Sequence, residues 1–173
     1  LTIENISDVD VNLFSFTSGT GVTDVTITGQ TLNDDGNAAT ASGWTLDFSN
    51  AAAGSELHLG NNTYTDGDLT INLGAETTLY IDATTDLSTM DLTINQVQNI
   101  VLADGVTLIL TAAQADGLNI VAGDDTGAAG FTGVVNVVGL GTAEYDLSGI
   151  AADIAGTTTL AANDVPLDAN TDL

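Results

Sequence analysis

Four pairs of closely spaced aspartates could each direct two carboxylate groups toward one ion. The pairs are Asp8 with Asp10, Asp34 with Asp35, Asp66 with Asp68, and Asp124 with Asp125. The first pair alternates as D-V-D, so a strand would turn both carboxylates to one side, and the other three lie in turn-like segments. Ca²⁺ prefers clustered oxygen ligands, so the pairs are candidate calcium sites. A plainer interpretation stays open for each pair, because Asp side chains also favour turns by hydrogen-bonding to their own backbone.

The charge balance of the whole chain favours bound cations. Its 173 residues include no Lys or Arg beside 24 Asp and Glu, which gives a formal charge of −24 at pH 7. Self-repulsion of this size opposes compaction unless the carboxylates are spread out, screened by salt or bridged by ions. We therefore expect at least one bound cation, with Ca²⁺ as the natural candidate.

Composition also argues against several classes of protein. Hydrophobic residues make up 43% of the chain and the mean hydropathy is +0.25, so the chain should fold rather than behave as a disordered acidic tail. We expect no nucleic-acid partner, because phosphate binding relies on Lys and Arg. No apolar run approaches about 18 residues, so we expect no membrane insertion. Cysteine is absent, and the start at Leu1 suggests a mature form or an excised fragment.

Apolar residues alternate with Thr, Asn or Asp along the chain, which predicts β-strands throughout. The predicted strands are 22–28, 44–49, 56–59, 68–73, 77–81, 91–94, 99–102, 106–111, 118–121, 134–138 and 157–160. Turn signals separate them about every ten residues, a spacing typical of a sandwich, a barrel or a β-solenoid. Two of these turns, 103–105 and 115–117, read A-D-G, and only 111–115 and 150–155 look locally helical.

A weak internal repeat favours a modular architecture. DATTDL at 82–87 is matched by DANTDL at 168–173, near the middle and the end of the chain. We therefore divide the chain into two repeat units, residues 1–87 and 88–173, packed as one continuous module. The predicted fold is all-β, a β-solenoid or elongated stack of strands with Leu, Ile and Val inside and Thr and Asn outside. Two packed β-sandwich units are the alternative.

The sequence offers no recognisable catalytic set. Its single histidine, His58, lies in E-L-H-L, so Glu56 and His58 would share one strand face. A metal-binding or acid–base role is one interpretation. We favour a plain surface histidine, because no nucleophile or second histidine accompanies it. Carboxylate pairs suited to glycoside hydrolysis would arise by chance among so many acids, so we expect no enzymatic activity.

The run NQVQNIVLADGVTLILTAAQADGLNIVAG at 95–123, with its Asp, Gly, Thr and Ala, resembles the β-rich repeats of large bacterial surface proteins. These include calcium-dependent S-layer proteins and giant adhesins exported by type I secretion. In that family a short strand, a Gly turn and a Thr/Leu strand recur, as 97–102 and 106–111 do here. The calcium nonapeptide of the family is not matched, since GDDTGAAG at 123–130 is only a partial echo. The resemblance implies an extracellular location at the bacterial cell surface, calcium dependence and a scaffolding or adhesive role.

Charge and resemblance together define three functional hypotheses. The first is a structural module that self-associates into a surface layer or filament, with Ca²⁺ neutralising carboxylates in turns and at contacts between copies. The second is an adhesin domain in which a flat face of Thr and Asn binds a cell-surface glycan or another surface. The third, ranked last, is a polysaccharide-acting enzyme.

Overall fold

The strands of the chain stack in parallel around a common axis. The computed structural model describes residues 1–4, 13–17, 24–32, 43–65, 67–74, 76–95, 99–123, 133–139 and 145–150. Within them lie fifteen strands and one short helix. The strand pairs are parallel, and they form a β-solenoid in which as many as six strands stack on one side. The predicted all-β solenoid is therefore confirmed over the alternative of two packed sandwiches.

Each complete turn contributes one strand to each of three sides. The first side is one sheet in the spatial order β1 (Thr2–Glu4), β3 (Asp24–Thr28), β6 (Glu56–Leu59), β9 (Thr78–Ile81), β12 (Asn99–Leu102) and β14 (Ile120–Ala122). The second side holds the pair β4 (Thr31–Leu32) and β7 (Thr63–Tyr64), then the sheet β10 (Thr85–Asp86), β13 (Thr107–Thr111) and β15 (Val134–Val138). The third side is the sheet β2 (Leu13–Thr17), β5 (Gly43–Asp47), β8 (Asp68–Asn72) and β11 (Asp91–Asn95).

On the first side, inward residues of successive turns form two apolar columns. One column contains Val25, Leu57, Leu79, Ile100 and Ile120, and the other contains Ile27, Leu59, Ile81 and Leu102. All nine are at most 1% exposed, so they lie in the core. Full burial of one such side chain contributes roughly 1.5–3 kcal/mol. The in-register stacking of Leu, Ile and Val therefore fixes which turn lies above which.

The third side repeats one pentapeptide in register. β8 and β11 both read DLTIN, and each residue of one strand pairs with the same residue of the other. Leu69 and Ile71 point inward and are fully buried. Their counterparts Leu92 and Ile94 in the next turn are only half-buried, because a short helix rather than a strand follows β11 on this side.

That helix, α1, spans Ala112–Ala115 and lies in the segment predicted to be helical. Thr111 caps it: its hydroxyl accepts a hydrogen bond from the N–H of Gln114 at 3.2 Å, and the Gln114 Oε1 accepts one from the N–H of Thr111 at 2.7 Å. The Gln114 side-chain amide also donates to the carbonyl oxygens of Leu87 and Met90, both at 2.8 Å. A single glutamine thus joins α1 to the turn before β11.

Both A-D-G segments form the predicted turns. The N–H of Val106 donates to the carbonyl of Ala103, and the N–H of Leu118 donates to that of Ala115, each at 3.1 Å. The glycines at the third position, Gly105 and Gly117, have φ angles of 75° and 70°. A side chain strains this left-handed conformation, which explains the glycine in each turn.

Two predictions on chain organisation are not resolved by these observations. The predicted strand at 157–160 lies outside the described residues, and so does almost all of the helical segment at 150–155. The division into units 1–87 and 88–173 stays a prediction. The described residues show a shorter repeat, whose unit is one turn of the solenoid. This repeat is clearest in the two DLTIN strands, β8 and β11.

Candidate functional site

Asp68 is the one predicted calcium ligand that the structure describes. The other seven, Asp8, Asp10, Asp34, Asp35, Asp66, Asp124 and Asp125, lie outside the described residues. Asp68 is exposed at the start of β8, and its register partner in β11 is Asp91, which is exposed as well. Because neighbouring strands lie about 4.8 Å apart, the two carboxylates are neighbours on the surface.

A second pair of acidic residues is in register in adjacent turns, Asp24 of β3 with Glu56 of β6. This pair and the pair Asp68/Asp91 are here called the stacked acidic pairs. Like charges opposite one another destabilise a sheet, and the chain has no Lys or Arg to offset them.

Other aspartates form local turns with a serine two residues later. The pairs are Asp47 with Ser49, Asp86 with Ser88, and Asp146 with Ser148. In each, Oδ1 of the aspartate accepts a hydrogen bond from the serine N–H at 3.0 Å. Hydrogen bonds from the serine hydroxyl and then from its N–H hold the pKa of Asp47 and of Asp146 below the ordinary value of 3.8. These hydrogen bonds therefore stabilise the ionised form of both carboxylates.

His58 lies between two carboxylates on the outer surface of the first side. Its Nδ1 is 2.9 Å from Oδ2 of Asp82, and its Nε2 is 3.2 Å from Oε2 of Glu56. The imidazole also stacks on the ring of Tyr80 in the next turn, with centroids 4.5 Å apart and planes 7° from parallel. As predicted, Glu56 and His58 share one strand face. The stacking of turns adds Asp82 and Tyr80, neither of which is near His58 in the sequence.

The outer surface of the third side is a regular grid of polar side chains. Along each strand of a complete turn, three alternate residues point outward. The resulting columns are Gly43, Asp68 and Asp91; Thr45, Thr70 and Thr93; and Asp47, Asn72 and Asn95. In the last column, Nδ2 of Asn95 donates to Oδ1 of Asn72 at 2.6 Å. We call this grid the threonine face.

An open groove of about 260 Å³ lies between β11 and α1. Its described lining includes the half-buried Leu92 and Ile94 together with Ala113, Gln114 and Leu118. The one ionisable side chain of that lining is Asp116. The groove therefore presents an apolar strip beside a single carboxylate.

No group of three or more His, Cys, Asp or Glu side chains in the described ranges is arranged to hold a metal ion. Each stacked acidic pair thus supplies two carboxylates, and a cation there would complete its coordination with carbonyl oxygens or water. None of the helices in these ranges is long and apolar enough to cross a membrane.

The fold and its surface define a parallel β-solenoid whose outer columns are rich in Thr, Asn and Asp. Comparison with protein-family models, with curated proteins and with solved structures finds no match to this chain.

Proposed function

We propose that this chain is a structural, self-associating module of an extracellular bacterial surface protein, and that Ca²⁺ stabilises both its fold and its contacts with other copies. The stacked acidic pairs carry the proposal. Parallel, in-register stacking brings like charges together at Asp24/Glu56 and at Asp68/Asp91. Without Lys or Arg in the chain, divalent cations are the partners best suited to neutralise two adjacent carboxylates.

The architecture supports a scaffolding role. A solenoid adds turn upon turn along one axis, so its outer surface consists of long regular faces. A scaffolding role uses such faces and does not require an enclosed cavity. The described surface offers such faces: the threonine face on the third side and the Thr26, His58 and Tyr80 column on the first. The proposal assigns no catalytic role to any residue.

Sedimentation velocity tests the self-association. The chain is compared at low ionic strength in CaCl₂, in EDTA, and in NaCl matched to the ionic strength of the CaCl₂ sample. We expect larger species in CaCl₂ alone, because NaCl screens charge without bridging carboxylates. Identical profiles in all three solutions would contradict the proposal.

An adhesin domain is the second candidate, and the threonine face is the observation that favours it. Its Thr and Asn side chains could hydrogen-bond to the hydroxyl groups of a glycan. Co-sedimentation of the monomeric chain with insoluble polysaccharides tests this role. Binding that is lost in T70Y and kept in T63Y, an exposed position on the second side, would favour the adhesin. Absence of binding to every polysaccharide tried would leave the structural module as the better account.

A further inference from the structure

The threonine face complements itself when two copies of the chain meet across a two-fold axis. We propose that one copy packs on another through this face, with the two solenoid axes parallel. The inference rests on the self-association proposed above and adds to it the interface and the relative orientation of the copies.

The threonine face is built from regularly spaced residues. Outward residues on one strand are about 6.6 Å apart, and neighbouring strands are about 4.8 Å apart. The central column consists of three threonines in register, Thr45, Thr70 and Thr93, which have identical short side chains. On one side of the threonines lies the column Gly43, Asp68 and Asp91, and on the other side lies the column Asp47, Asn72 and Asn95. The chemistry of these flanking columns decides how two copies can meet.

Contact between identical surfaces of two copies requires a two-fold axis, and two directions of that axis keep the columns of one copy aligned with those of the other. If the axis runs along the strands, each column meets the same column of the second copy. Asp68 then lies opposite Asp68 or Asp91 of the second copy. Like-charge contact of this kind costs free energy unless each facing pair binds a cation of its own, so an orientation that avoids it is favoured.

If the axis runs parallel to the solenoid through the central column, the flanking columns exchange places. Asp68 then faces Asn72 of the second copy, and Asp91 faces Asn95. An asparagine amide donates hydrogen bonds that a carboxylate accepts. Because Asn72 already uses Oδ1 to accept from Asn95 at 2.6 Å, its N–H groups are what it offers to the second copy.

The strand of the first complete turn fits the same orientation. There Asp47 would face Gly43 of the second copy, which has no side chain, and Thr45 would face Thr45. No carboxylate of the face then meets another carboxylate. This orientation needs no cation between the copies and leaves Ca²⁺ to bridge Asp68 and Asp91 within each copy, which lowers the repulsion between the two faces. The charges of the face thus favour side-by-side solenoids with antiparallel strands across the contact.

The contact is small, which determines how it must be tested. Three strands of five residues cover about 14 Å by 17 Å, or roughly 240 Å² per copy. A stable complex buries about 800 Å² per partner, so a single contact is weak. Many such contacts in an array would act together. Covalent trapping therefore detects the contact better than affinity does.

Cysteine cross-linking is well suited to this chain, which contains no cysteine. Single variants T70C, D68C and N72C, with T63C as the exposed control on the second side, are treated with a short bis-maleimide in CaCl₂. Facing sheets lie about 10 Å apart, within reach of the reagent. We expect several-fold more dimer from T70C than from T63C. D68C and N72C should each give little dimer alone and several-fold more when mixed.

Thermal melting followed by circular dichroism verifies that each variant is folded. If T70C does not fold, the dimer yield from the mixture of D68C with N72C tests the interface instead. Equal dimer yields from T70C and T63C, or more dimer from D68C alone than from the mixture, would overturn the inference. If the unmodified chain associates in CaCl₂ but this cross-linking pattern is absent, only the interface is wrong. If the chain does not associate in CaCl₂ at all, the proposed function fails as well.

Discussion

Asp68 and Asp91 occupy the same position in two consecutive turns of the solenoid, in the same pentapeptide, so that their exposed carboxylates stand side by side. The chain has no Lys or Arg to offset this contact. The structure therefore links the charge of the chain to a specific pair of residues.

Removing one carboxylate of this pair should stabilise the metal-free protein. In EDTA at low ionic strength, D68N or D91N should raise the free energy of unfolding by a few tenths to about 1 kcal/mol, because a repulsive cross-strand pair is lost. The double variant should gain less than the sum of the two single gains, as residues that interact directly are not additive. Urea denaturation of the four proteins measures this coupling. Additive gains would show that the two carboxylates do not interact.

Equivalent leucines in adjacent turns should differ in their contribution to stability. Leu69 is fully buried, whereas Leu92, its register partner, is half-buried. We expect L69A to cost about 2–5 kcal/mol. L92A should cost clearly less, since it removes less buried surface and opens no enclosed cavity. Chemical denaturation of both variants provides the comparison, and equal losses would mean that β11 is as well covered as β8.

The Gln114 side chain should stabilise the fold by joining α1 to the turn before β11 through hydrogen bonds. In Q114A the carbonyl oxygens of Leu87 and Met90 lose their donor, and the N–H of Thr111 loses its acceptor, which should cost about 1–3 kcal/mol. Q114E keeps an acceptor for Thr111 but places a carboxylate against the two carbonyls, so it should be no more stable than Q114A. The free energies of unfolding of both variants test this. If Q114E matches the unmodified chain, the contacts to the carbonyls are unimportant.

The turn between Asp146 and Ser148 should contribute stability that depends on pH. Hydrogen bonds from Ser148 lower the pKa of Asp146 in the folded chain, so the turn stabilises the fold above the ordinary pKa of the carboxyl. That contribution is lost as the pH falls through the lowered pKa of the folded state. S148A removes the hydroxyl that donates to Oδ1 at 2.6 Å, and the pKa of Asp146 should rise toward 3.8, its ordinary value. Carbon-detected NMR titration of the carboxyl measures it, and S88A, which alters a different turn, should leave it unchanged.

Local features of the fold could be predicted from the sequence because each has a local cause. Alternation predicted a strand at 68–73, where the structure has Asp68–Asn72, the A-D-G segments predicted two turns, and the segment 111–115 was predicted to be locally helical. The D-x-S turns also have a local cause and could have been found from the recurrence of D-L-S at 86–88 and 146–148.

The stacked acidic pairs could not be predicted in this way. Asp91 has no acidic neighbour in the sequence, and its contact with Asp68 depends on the register between two strands that belong to different turns. The same is true of Asp82, which reaches His58 only because the next turn lies beside it. Stacking is determined by the inward columns of Leu, Ile and Val taken together, so no single segment encodes it.

Thermal melting at low ionic strength tests the central claim most directly, that cations bridge the carboxylates of this solenoid. The melting temperature is measured in EDTA, in CaCl₂, and in NaCl of the same ionic strength as the CaCl₂ sample. We predict that CaCl₂ raises it well above the NaCl value, because ions that bind the folded state stabilise it beyond general screening. Equal melting temperatures in CaCl₂ and NaCl would contradict the account.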